Sequence, residues 1–217
     1  MGRAAPDRGA ARGSRPPDFR KLLGETAWAE LPQAVQRRFE LAAHHLTRTW
    51  NGAMDVQASP FGLVLAQLCR LVGTPLAPFA GAAVPVGVTV RPGPGGALIW
   101  DRLYRFAGRP PVLVSSSKVM APSGELMEVV HGGLGMALDL SCEGGELHFR
   151  SRRYFLQMAG VRLPIPLLLT PGAAHVLHAE LGGGRFAFTL SFVHPWFGRL
   201  FFQTGHFSDP CEEEIRS

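Results

Sequence analysis

From Val84 to the C-terminus the chain is a run of short segments of alternating polarity, each closed by a glycine or proline turn. Turn signals at 8–12-residue spacing between alternating segments predict an all-β meander. The segments are Val84–Val90, Ala97–Phe106, Val112–Met120, Leu126–His131, Leu134–Cys142, Glu146–Met158, Ala173–Leu181, Arg185–Val193 and Leu200–Phe207. Short turns make neighbours antiparallel. A sheet this long, rich in glycine, curls around an interior.

Four stretches before Val84 predict more. Asp18–Leu23 reads as a short helix. Leu31-Pro32 opens a longer one, with Val35 and Phe39 on its apolar side and Arg37, Arg38 and Glu40 on the other. His45–Val56 reads as a strand. Pro60–Val72 is apolar nearly all round, which predicts a buried helix covered by the concave sheet. The expected fold is mainly β: a strongly curved antiparallel meander sheet or partly open β-barrel with two N-terminal helices, one buried. Residues 1–17 are an Arg/Ala/Gly/Pro-rich tail predicted to be disordered. Residues 18–208 form one domain, and 209–217 an acidic, frayed end.

The net charge of +5 invites a nucleic-acid reading, but its placement opposes one. Arg3, Arg8, Arg12, Arg15, Arg20 and Lys21 crowd the first 21 residues against Asp7 and Asp18, leaving the folded part near neutral. A nucleic-acid surface would concentrate cations on the domain itself. Cys69, Cys142 and Cys211 are too far apart for a zinc spacing and odd in number, so a reduced, cytoplasmic protein is expected. No signal peptide is read at the N-terminus. The run Leu163-Pro-Ile-Pro-Leu-Leu-Leu169 is too short to span a bilayer, so no integral membrane segment is expected.

Few residues suggest chemistry. Trp100, Arg102, Tyr104 and Phe106 share one strand face. An arginine among aromatics reads as an anion anchor or cation–π clamp, or as a side chain snorkelling past its neighbours. Ser115 and Lys118 form Ser-x-x-Lys, but on a strand they face opposite ways, which removes the nucleophile reading. Lys118 is the only lysine after Lys21, and reads as a cavity-lining or a solvated residue. Glu128 is in phase with Leu126 and Val130, so it points inward and needs Arg102 or Lys118 as partner. That pairing reads as a structural ion pair, a ligand site or an acid–base site, with His131 beside it. The other histidines lack ligand spacing, so no metal is expected, and no glycine cluster opens a helix as a nucleotide loop does. No cofactor is expected.

These landmarks resemble an uncharacterised bacterial family of domains of unknown function. The resemblance rests on the Leu31-Pro32 helix, Trp100-x-Arg102-x3-Phe106, the Ser–Lys strand, Glu128, Gly133-Leu-Gly-Met-Ala-Leu138, Gly160-x2-Leu-Pro164, Glu180, Phe186-x-Phe188, and Gly198 to Gly205, over about residues 30–207. Lys118 stands where members often have an amide, and Phe201 or Phe202 where they have a tyrosine. The resemblance implies no established activity. Members occur alone or behind a saccharopine-dehydrogenase-like NAD(P)-binding domain, which implies an NAD(P)-dependent reductase as partner. The expected function is a binding module for a small apolar or amphipathic ligand in a β-lined cavity. The alternatives are an accessory domain of such a reductase, or an enzyme with an Arg/Glu acid–base site.

Overall fold

A computed structural model describes residues 16–43, 47–69, 76–158 and 161–210. Among these, α1 (Phe19–Leu23), α2 (Glu25–Glu30) and α3 (Gln33–Ala43) precede β1 (Arg48–Ala58) and α4 (Pro60–Cys69). Then come β2 (Gly81–Pro92), β3 (Leu98–Tyr104), β4 (Val112–Met120), β5 (Leu126–Val130), β6 (Leu134–Glu143) and β7 (Glu146–Met158). The last are β8 (Val161–Ile165), β9 (Ala173–Gly182), β10 (Arg185–His194) and β11 (Gly198–Ser208).

Ten strands close a ring. The order runs β1-β2-β3-β4-β5-β6-β7-β9-β10-β11 and returns to β1, every pair antiparallel. Closure leaves no ring strand with an unpaired edge. The expected curved sheet is thus a closed barrel, and the strand read near His45 is what closes it, pairing Asn51 with Ser208 through to Ala58 with Phe201. β8 lies outside the ring. It pairs with the second half of β7, Met158 opposite Val161 and Tyr154 opposite Ile165, while the first half of β7 pairs with β9. The proline-rich stretch between the expected Glu146–Met158 and Ala173–Leu181 segments therefore contains a strand. Pro164 lacks an N–H, which is tolerated because β8 is an edge.

Side-chain alternation puts one row of each strand inside. Trp50, Met54 and Val56 of β1, Val84, Val86 and Val90 of β2, and Phe201 and Phe207 of β11 are buried there. Glycines on the inner row make room for large neighbours. A Cβ on Gly205 would overlap the Ala53 carbonyl and the Met54 side chain, and one on Gly52 would overlap Phe207.

The two ends of the barrel differ. The helical end is closed by α1–α3. Val35 and Phe39 of α3 are buried with Phe19 of α1 and Trp28 of α2, and the Phe39 ring meets Phe19 edge-on at 5.1 Å. The far end carries α4, joined to β11 where the Ser59 amide donates to the Leu200 carbonyl at 3.0 Å. Behind it the interior is packed, and the buried Tyr104 hydroxyl donates to Gln203 Oε1 at 2.7 Å.

Two expectations about the helices change. The apolar helix from Pro60 is not the buried one: Ala66 is buried, but Phe61 and Val64 are exposed, because α4 lies against the rim instead of beneath the sheet. The helix that enters the barrel mouth is α3. Its Arg38, expected on the solvent side, is buried with Val35 and Phe39, because a mouth encloses more of a helix than a flat surface does. Residues 1–15 and 211–217 lie outside the described residues, as do His44 and His45. Asp209 is held in place, its amide donating to the Gly184 carbonyl at 2.7 Å.

Candidate ligand-binding site

Strand register builds a charged site in the middle of the barrel. Lys118 and Glu128 are directly opposite on β4 and β5, and Lys118 also faces Leu98 on β3. Inward phase on β3 adds Trp100 and Arg102. Lys118 Nζ donates to Glu128 Oε2 at 3.1 Å, and Arg102 Nη2 lies 3.7 Å from Glu128 Oε1. Lys118 Nζ sits 4.7 Å from the centre of the Trp100 ring. All three charged side chains are buried.

Burial alone would push the Glu128 carboxyl up, but the Lys118 and Arg102 charges, with the hydrogen bond from Lys118, outweigh it and bring the pKa down to about 2. Burial pushes the Lys118 ammonium down, aided by Arg102 and opposed by Glu128. Two cations therefore share one carboxylate. Among the described residues Arg102 makes no side-chain hydrogen bond, and the buried Trp100 Nε1 has no partner.

A second cluster closes the site at the helical end. Arg38 reaches Asp209 through Nε at 2.8 Å and Nη2 at 2.6 Å, and Glu180 through Nη1 at 2.6 Å. Its guanidinium lies 4.3 Å from the Phe186 ring centre, and Trp50 Nε1 donates to Asp209 at 3.0 Å. His178 Nε2 stands 3.4 Å from Arg38 Nη1. Arginine only donates, so Nε2 accepts and the ring proton sits on Nδ1. Burial, reinforced by Arg38, pushes the His178 pKa down to about 3, against a smaller upward pull from Asp209.

Two adjoining hollows share Phe39, Trp100, Arg102, His178 and Phe188 as walls. One reaches Arg38, Trp50 and Phe207; the other reaches Lys118, Glu128 and Phe149. They contain about 530 and 370 Å³ unfilled by atoms, counting space open to solvent. Within that space there is room for a few water molecules.

The structure thus brings together Trp100, Arg102, Lys118 and Glu128. Tyr104 faces inward but is engaged with Gln203 below the hollows. His131 lies exposed in the turn after β5, apart from the cluster. Arg38, Phe39, His178 and Asp209 join the site without having been singled out. Arg38 and Phe39 come from a helix whose docking place no local pattern reveals. His178 had a weak signal, its inward phase with Val176 and Glu180.

The neutral, buried His178 makes stability pH-dependent. Its folded pKa of about 3 lies below the unfolded value near 6.5, so the unfolded state binds the proton first. Its contribution is complete above about pH 6.5 and is lost as pH falls toward 3. His178→Gln is expected to flatten that arm of a denaturation-midpoint-against-pH curve; an arm of unchanged slope contradicts the assignment.

Fold and site together define a closed antiparallel β-barrel domain with a charged, partly hollow interior. The chain belongs to the domain of unknown function family DUF4166, whose profile matches residues 31–207. No curated protein and no solved structure matches it.

Proposed function

We propose that the domain binds a small amphipathic molecule carrying one negative charge, such as a long-chain carboxylate, inside the barrel. The observation that carries this is the unequal charge at the centre: Arg102 and Lys118 share Glu128, and among the described residues the Arg102 side chain makes no hydrogen bond and the Trp100 N–H has no partner. A buried cation without a full partner costs several kcal/mol. An anionic head group would neutralise it, accept from Arg102 and Trp100, and leave its tail among Phe39, Val88, Val90, Phe186 and Phe207.

The acid–base enzyme reading is weaker. A carboxyl held near 2 is a poor proton acceptor at neutral pH. A bacterial cytoplasmic setting, with a reductase consuming or supplying the guest, is compatible with this reading.

The test is binding of dodecanoate and dodecanol to protein stripped of endogenous lipid. We expect the carboxylate to bind about tenfold or more tightly than the alcohol, and Arg102→Met to erase the difference. Equal binding of both by the unaltered protein rejects the charged-head-group reading; binding of neither rejects the cavity as a ligand site.

A further inference from the structure

We propose that the far end of the barrel docks on the surface of an anionic lipid bilayer. This rests on the outer surface and is independent of what the interior holds. Among the described residues, twelve of the thirteen exposed large hydrophobic side chains lie at this end, Leu181 being the other. Trp196 is 71 % and Leu169 78 % exposed, against the usual placing of such side chains. Contacts link several of them. Phe61 of α4 stacks on Phe197 of the β10–β11 turn at 4.4 Å, and Val64 lies one helical turn on. His194 stands between Phe197, at 4.8 Å, and the Leu168 carbonyl, at 3.2 Å from Nε2. At the same end, β8 adds Val161 and Leu163, opposite Met158 and Leu156. Contiguous apolar patches of this kind mark a partner or a membrane.

Charge favours the membrane. None of the described loops and turns at this end carries an aspartate or glutamate. Arg105 and Arg109 in these loops, and Arg162 and Arg199 near the adjoining ends of β8 and β11, are exposed cations. Arg109 and Arg199 lie over aromatic rings, 4.0 Å from Phe79 and 4.9 Å from Phe202, with their stems along the apolar surface. Most of the described carboxylates lie toward the helical end, among them Glu25, Glu30, Glu143, Glu146, Glu180 and Asp209; Asp55, near the far end of β1, accepts from the Ala83 amide. A tryptophan- and leucine-rich tip ringed by arginines, with negative charge held away, suits an interface between head groups and acyl chains. The barrel would lie on the bilayer and not span it. Its outward strand faces carry polar pairs such as Thr49–Thr89, Arg91–Asp101 and Arg153–Glu125, where a spanning barrel is apolar.

The test is co-flotation with vesicles of phosphatidylcholine alone or mixed with phosphatidylglycerol. We expect binding to the mixed vesicles only, weakening with added salt, and about a tenfold fall for Trp196→Ser/Leu169→Ser. Both residues are exposed, so an unchanged circular dichroism melt establishes that the variant is folded. Trp196 fluorescence should also be quenched by lipids brominated in the acyl chain. Failure to float with anionic vesicles, or flotation unaffected by the double substitution, overturns the proposal. So does concentration-dependent dimerisation abolished by it, which would make this end a self-interface.

Discussion

Glu128→Gln should destabilise the barrel by about 3–5 kcal/mol, the usual cost of removing one member of a buried charge group and leaving the others unpaired. Lys118 and Arg102 would remain side by side on β4 and β3 with no carboxylate between them. The readout is the midpoint of a urea denaturation curve at constant slope. Arg102→Met should behave oppositely, since the Lys118–Glu128 pair left behind is neutral and hydrogen-bonded. Its stability without ligand should equal or exceed that of the unaltered chain. The same carboxylate sets an acid limit. Its folded pKa of about 2 lies below its ordinary value of 4.5, so its contribution is complete above about pH 4.5 and is lost as pH falls toward 2. That component should vanish in Glu128→Gln. A variant as stable as the parent would mean that the three charges are not coupled as the geometry requires.

Arg38→Met should loosen the helical end by about 3 kcal/mol or more, because it strands Glu180 and Asp209 beside a buried tryptophan and histidine. The loss should be local as well as global. Amide exchange in α3 should accelerate much more than exchange in β3 and β4, since α3 is held over the mouth by this one guanidinium and by Val35 and Phe39. A bound fluorescent fatty acid should leave the variant faster. Uniform acceleration across all strands would show that Arg38 supports the whole barrel instead of the mouth.

The β pattern was legible because period-two alternation with glycine turns depends only on neighbours in sequence. Trp100, Arg102 and Glu128 could be assigned inward by phase alone, and Lys118 by its registration against Glu128 once β4 and β5 pair. What escaped depends on distant parts. β8 escaped because two prolines in Leu163–Pro166 mask a strand that survives only as an outer edge. The apolar composition of α4 signalled burial, whereas the barrel rim covers only part of it and leaves Phe61 and Val64 outside. Arg38 looked like an ordinary polar-face residue, since its partners Glu180 and Asp209 are more than 140 residues away. Tertiary placement, and not propensity, decided each of these.

The seam of the ring lies between β1 and β11, where Asn51 meets Ser208. Nearly the whole domain must therefore emerge from the ribosome before the last two edges can meet. Until then, β1 and β10 each offer an unpaired edge backed by phenylalanines or other greasy side chains. Pairings this remote in sequence make folding slow and leave the nascent chain prone to sticking to its neighbours. Yield on overexpression should consequently be governed by chaperone capacity and synthesis rate more than by the stability of the finished barrel.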